Sequence, residues 1–248
     1  MSDIQYNSNY FDLIKNLTAI SPGIIFAKDT QTKKIVITRT NKGRSIFFKV
    51  EAPEAYFTFD GEKAAFYNFG EFHQLINAFG ASKLSQKDNK IIIESNIGKI
   101  NYILSAPETL AKSPSKVNII DPDISFNLSS EGLAELRKVN SLMNAKYANI
   151  TNVSGTLTFK MFNSTHDNSF DKVYTPETIA PNAEDFDFPI YSEVFSKIPS
   201  AMNYKVYLFK KGFVFFSCLK DDIDLLVVTS RVKKIGNEDD EESNGADE

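Results

Sequence analysis

The sequence predicts an α+β protein of two similar halves, each alternating short amphipathic helices with groups of antiparallel strands. Three observations carry this. The chain holds 21 Phe and 10 Tyr but no Trp, and Phe and Tyr favour the half-buried surface of a sheet. Gly, Asn and Asp recur between short apolar runs, which is hairpin punctuation. The order helix, strands, helix, strands occurs before a proline-bearing stretch, residues 106–122, and again after it. A repeat at half-chain distance means two related domains rather than a solenoid, whose periods are ~20–50 residues.

The first helix covers about Asn9 to Leu17, with Leu13, Ile14 and Leu17 on one face and Lys15 on another. Ser21-Pro22-Gly23 stops it. Strands follow at Gly23–Lys28, Lys33–Thr40 and Ser45–Glu51, the last two joined through Asn41-Lys42-Gly43, and then at Ala55–Asp60 and Ala64–Phe69. A second helix, Glu71–Phe79, places Phe72, Leu75, Ile76 and Phe79 at helical spacing between Gly70 and Gly80. Lys83–Gln86, Lys90–Ser95 and Lys99–Leu104 complete the first half as strands. Pro107, Pro114 and Pro122 then punctuate a segment without periodicity, which reads as an interdomain linker.

The second half opens with strand Ile124–Leu128. A helix capped by Ser130 runs to about Met143, with Leu133, Leu136, Val139 and Met143 on one face. Strands Tyr147–Asn152 and Thr156–Phe162 meet at Ser154-Gly155, and Asn163–Glu184 reads as a loop-rich region. Strand Phe186–Tyr191 precedes a short helix marked by Val194, Phe195 and Ile198. Tyr204–Lys210, Phe213–Leu219 and Asp224–Ser230 finish the body as strands. The expected division is residues 1–106 and 123–235 as domains, 107–122 as linker and 236–248 as a tail.

Catalytic parts are scarce. The two histidines, His73 and His166, form no metal-binding pair, and no P-loop, G-x-G-x-x-G or G-x-S-x-G motif occurs. The single cysteine, Cys218, cannot form an intrachain disulfide or a cysteine-based zinc site, and inside an apolar run it reads as a buried structural thiol. Asp185 and Asp187 alternate on a strand, and Asp221-Asp222 falls at a hairpin turn where Asp is favoured for backbone reasons. Neither pair brings the further acids that two-metal chemistry needs. An enzyme is not expected, nor any cofactor or metal. No secretory h-region or membrane-length apolar run is visible, so the expected location is the cytoplasm, that of a host cell if the protein is viral.

Charge is distributed unevenly. Residues 236–248 hold seven acids and no Lys or Arg. Without them, 28 basic residues stand against 32 less 7, or 25, acidic ones, turning a net charge of -4 into +3. Such a tail cannot bury apolar surface and is expected to be disordered, either as a solubility tail or as an electrostatic competitor for an anion-binding face. The helices' polar sides carry the cations: Lys15 on the first, Arg137 and Lys138 on the third with Lys146 just after it, and Lys197 on the fourth. His73 lies on the second. Phosphate neutralisation by such residues gives salt-sensitive binding without sequence preference.

Three stretches carry a family resemblance. F-D-L-I-K-N-L-T-A-I-S-P-G-I-I at Phe11–Ile25 resembles the first helix and strand of the sliding clamps of T-even-type bacteriophages. L-R-K-V-N-S-L-M-N at Leu136–Asn144, with I-T-N-V-S-G-T-L-T-F-K-M-F-N at Ile150–Asn163, is similar to their second-domain helix and hairpin. N-Y-K-V-Y-L-F at Asn203–Phe209 resembles their late strand. The order and spacing match over roughly residues 9–233. The acidic tail and part of the Asn163–Glu184 loop go beyond the family pattern.

The resemblance implies a PCNA-like fold: two domains per subunit, three subunits closing a homotrimeric ring, helices lining the hole and sheets forming the outer wall. It implies a non-enzymatic processivity factor that encircles duplex DNA, tethers a DNA polymerase and is loaded by an ATP-driven clamp loader. Lys15 and Lys138 fall where family helices place basic residues, whereas a family arginine on the third helix corresponds to Ser141 here, with Arg137 one turn back. The DNA-facing set is therefore Lys15, His73, Arg137, Lys138, Lys146 and Lys197. Partner peptides of the family dock near the linker, so Val117 and Ile119 are expected to wall that pocket; the plainer alternative is that they pin the linker to the sheet. The rival for the whole chain is a strand-rich structural or assembly protein of a virus particle that does not bind DNA.

Overall fold

A strand, a helix and three further strands recur four times along the chain in the computed structural model, which describes residues 1–114, 117, 119–163, 166–181 and 183–232. The first unit is β1 (Ser2–Ile4), α1 (Ser8–Leu17), β2 (Ile24–Asp29), β3 (Lys34–Thr40) and β4 (Ile46–Pro53). The second is β5 (Lys63–Phe66), α2 (Phe69–Ala78), β6 (Lys83–Lys87), β7 (Lys90–Ser95) and β8 (Gly98–Ile103). The third is β9 (Ile124–Leu128), α3 (Ser130–Met143), β10 (Tyr147–Val153), β11 (Thr156–Asn163) and β12 (His166–Tyr174). After the two-residue β13 (Thr178–Ile179), the fourth is β14 (Phe186–Tyr191), α4 (Glu193–Lys197), β15 (Tyr204–Phe209), β16 (Phe213–Lys220) and β17 (Ile223–Ser230).

These strands form three antiparallel sheets. Two have four strands, in the orders β1-β6-β7-β8 and β12-β11-β10-β14. The third has nine, β13-β9-β15-β16-β17-β4-β3-β2-β5, and joins the two halves where β17 pairs with β4, from Asp224 opposite Glu51 to Thr229 opposite Ile46. Alternate residues of a strand face opposite sides. Ile46, Phe48 and Val50 of β4 join Val214 and Phe216 of β16 and Leu225 and Val227 of β17 in the main core. The intervening Phe47, Phe215, Leu226 and Val228 form a smaller cluster on the other face. All four helices bury into the main core, through Phe11 and Ile14, Phe69 and Phe72, Leu133 and Leu136, and Val194 and Phe195. Their polar sides therefore look out from the same side of the central sheet.

In the first half that core is aromatic. Phe11 of α1 meets Phe57 at 5.1 Å and Phe69 of α2 at 5.2 Å between ring centroids, both edge-to-face. Phe26, Phe66 and Phe72 complete the cluster, all fully buried. Such ring pairs contribute roughly 0.5–1.5 kcal/mol beyond area burial, and they fix α1 against α2.

Most predicted elements are present, but several differ: α2 begins at Phe69, inside the expected strand Ala64–Phe69, and is capped by Asn68 rather than bounded by Gly70. Residues Glu54–Tyr56 form a 3-10 turn rather than a strand, because the backbone there bonds the N-terminal segment instead of a sheet: the Asn7 amide donates to the Tyr56 carbonyl at 2.9 Å and the Thr58 amide to the Gln5 carbonyl at 2.9 Å. The region expected as loop contains β12, paired along β11 with Phe170 opposite Met161. It is a sheet edge, and Lys172 between Phe170 and Tyr174 breaks the apolar alternation of its partly covered face. β1 is only three residues long. The cap of α3 is Ser129, whose side chain accepts from the Gly132 amide, one residue before the expected cap. Ser154 and Gly155 at φ 49° and 81°, and Asp221 and Asp222 at 51° and 61°, adopt the primed-turn conformation that their composition predicts. Residues 233–248, including the acidic tail, lie outside the described residues.

Candidate nucleic-acid interface

The polar sides of α1, α3 and α4 meet where the two halves join. Lys15, Arg137 and Lys197 line one open cleft of about 400 Å³, together with Asn16, Ser196 and Ser200. Three of the six residues expected to face DNA thus come together, one from each of three helices. Lys15 is exposed. Lys197 Nζ lies 2.7 Å from Glu193 Oε2 one turn back, a half-exposed pair that holds its ammonium weakly.

Arg137 has a second task. Its Nε donates to the Phe195 carbonyl at 2.6 Å, and its Nη2 donates to the Ser196 carbonyl at 3.2 Å and to the Ile198 carbonyl. The last carbonyls of a helix have no partner within it, and α4 is only five residues long. The guanidinium of α3 supplies those partners and clamps α4 in place. Burial lowers its pKa from the usual arginine value, against a smaller opposing influence of Tyr204. Arg137→Ala is expected to destabilise the protein by about 2–3 kcal/mol, because several charge-assisted bonds are lost and carbonyls are stranded. Arg137→Lys should recover only part of this, since an ammonium lacks the planar fork. Urea unfolding of the two variants checks both; unchanged stability in the alanine variant would remove the clamp role.

The other three residues lie elsewhere. Lys138 is exposed on α3 without a partner among the described residues, and Lys146 is exposed after that helix with its Nζ 5.4 Å from the Tyr147 ring centroid. His73 is 8% exposed, and its Nε2 sits 2.9 Å from Asp12 Oδ1 on α1. That contact ties α2 to α1 and leaves little of the ring for an external ligand. Helical periodicity placed His73 on a polar side without revealing that α1 covers it.

The opposite face of the central sheet presents the small apolar cluster of Phe47, Phe215, Leu226 and Val228. Val117 and Ile119 of the linker pack on it half-buried, with Tyr207 and Phe209. A cleft of about 340 Å³ beside them is lined by Lys49, Glu51, Ser217 and Asp224. The sequence carries a signal for this face. Ile46-Phe47-Phe48 and Leu225–Val228 are continuous apolar runs, which in a strand indicate cover on both faces.

Among the described residues no group of three or more His, Cys, Asp or Glu side chains is placed to hold a metal ion. No helix there is long and apolar enough to cross a membrane.

No family model matches the sequence, and no curated protein does. Solved structures match along nearly the whole chain. PCNA of Archaeoglobus fulgidus, in a structure with the C-terminal region of FEN-1 bound to it, superposes with a TM-score of 0.70 at 10% identity, over 96% of this chain and 100% of that one. PCNA of Thermococcus kodakaraensis gives 0.70 at 11% identity over 93% and 99%, and that of Entamoeba histolytica 0.68 at 12% over 93% and 98%. With four strand–helix–strand units, a central sheet shared between two similar halves and helices on one side of it, the chain has the fold of the PCNA sliding clamps.

Proposed function

We propose that the chain is one subunit of a sliding clamp that encircles duplex DNA and raises the processivity of a DNA polymerase. The observation that carries the reading is the convergence of Lys15, Arg137 and Lys197, from helices of both halves, on one cleft of the helical face. Residues 1–106 and 123–235 are read as the two clamp domains and 107–122 as their linker. The DNA-facing set is Lys15, Lys138, Lys146 and Lys197, with Arg137 adding charge while it positions α4. His73 is left out because Asp12 occupies it.

A closed ring holds DNA topologically, so it needs only a few weak, salt-screened phosphate contacts to centre the duplex, and tighter ones would impede sliding. Three copies are proposed, as in T-even-type phage clamps, with an ATP-driven loader supplying the nucleotide chemistry that this chain lacks. Ring closure falls to β8 and β12. Each is the outermost strand of a four-stranded sheet, and each exposes an apolar side chain, Ile103 at 62% and Val173 at 64%. Open edges of this kind are templates for pairing with another chain, and a head-to-tail contact of two different edges generates a ring. Val117 and Ile119 serve a partner's peptide on the outer face while they hold the linker down. A role as a particle protein without DNA binding has no support in the comparisons.

The test is joint. The protein should sediment as a trimer and lengthen the products of its cognate polymerase on primed circular DNA when the loader and ATP are present. A stable monomer at micromolar concentration, or product lengths that do not change, would sink the proposal.

A further inference from the structure

A third cleft lies on the first half, away from the helices. Among the described residues the ladder between β2 and β3 extends only from Ala27 opposite Val36 to Asp29 opposite Lys34. Towards Ile24 and Thr40 the two strands have no register with each other, although β2 keeps β5 and β3 keeps β4. Residues 107–113 pass over the opening, leaving a cavity of about 500 Å³. Its apolar wall includes Ile25, Val36 and Leu110, and its charged lining includes Arg39, Lys63 and Lys112 against one acid, Glu108.

Arg39 is the unusual member. It is only 4% exposed, yet no carboxylate pairs with it among the described residues. Its Nη1 donates to the Ala111 carbonyl at 2.8 Å, and its Nε has no partner. The Ser113 hydroxyl, also lining the cavity, is buried without one. Burial lowers the guanidinium's pKa from its usual value. A buried cation is ordinarily paired, because desolvation otherwise goes uncompensated. Guanidinium also has the planar donor fork that suits a carboxylate.

We propose that this cleft is a docking site for an extended peptide from a partner protein, with a Glu or Asp carboxylate placed on Arg39 and an adjacent apolar side chain on Ile25, Val36 and Leu110. Charge complementarity selects the occupant: the cleft pairs an unsatisfied buried cation and two rim lysines with an apolar wall. A purely apolar peptide would leave Arg39 unpaired. A purely acidic one would leave the wall uncovered. The site goes beyond the clamp reading, since it needs neither DNA nor a ring.

The probe is a fluorescein-labelled, C-terminally amidated peptide, Gly-Ser-Leu-Glu-Phe-Leu-Gly, compared with its Glu→Gln counterpart by fluorescence polarisation on the full chain without DNA. The Glu peptide should bind at least about tenfold more tightly, the ratio expected of one charge-assisted contact. Arg39→Met should abolish that preference while melting no lower than the parent, because it removes a buried charge and keeps the volume. Arg39→Lys should restore part of the preference. Equal binding of the two peptides to the parent, a preference that survives in Arg39→Met, or no binding of either up to about 1 mM would each overturn the proposal.

Discussion

Ile103→Asp together with Val173→Asp is expected to turn the proposed trimer into folded monomers. Both side chains are exposed on the isolated chain, at 62% and 64%. Surface changes of this kind usually alter the stability of the subunit by no more than ~0.5 kcal/mol. The proposed ring buries both residues between copies, since β8 of one subunit pairs with β12 of the next. A carboxylate buried there without a partner costs about 3–5 kcal/mol, and each 1.4 kcal/mol is a factor of about ten in affinity. Two such charges at each of three boundaries should leave no trimer at micromolar concentration. Sedimentation velocity reads the assembly and urea unfolding the subunit. A trimer that persists in the double variant would show that these edges do not close the ring.

The second large effect belongs to the helical face. Lys15→Glu, Lys138→Glu and Lys197→Glu in one chain should leave the trimer and its melting temperature unchanged and reduce processive synthesis by about tenfold or more. Each lost phosphate contact removes roughly 0.9 from the salt slope of binding, and reversal also adds repulsion. The deficit should narrow at high salt, where screening weakens both terms. Arg137 is excluded from this variant because its donors hold the carbonyls of Phe195, Ser196 and Ile198, so its loss would combine a pore effect with a folding effect. Unimpaired synthesis by the triple variant would refute the assignment of this face to DNA.

How far the sequence reaches is shown by particular residues. Turn chemistry is local, and Asp221-Asp222 and Ser154-Gly155 were legible because those residues tolerate positive φ. Helices α1, α2 and α3 were legible because each buries one stripe. β12 was not, because an edge strand with one half-covered face keeps polar residues that resemble a loop. Within the candidate site, the sequence identified which helix sides are polar. It could not show what stands opposite them. Asp12 over His73 and the α4 carbonyls around Arg137 are contacts between elements tens of residues apart, and helical period is blind to these. Arg39 shares the buried face of β3 with Ile35 and Ile37, so strand period reaches its burial; what the sequence could not show is that no carboxylate among the described residues meets it there.

The seam between the halves bears on how the protein is made. Glu51 finds Asp224 173 positions further along the chain. During synthesis the first half emerges with β4 paired to β3 on one side only, and its other edge and Phe47 stay uncovered until β17 leaves the ribosome. Contacts this distant in sequence form slowly, and unpaired apolar edges invite association meanwhile. The first half therefore completes its sheet only when β17 arrives, and any pause in synthesis before that point prolongs the exposure of this edge.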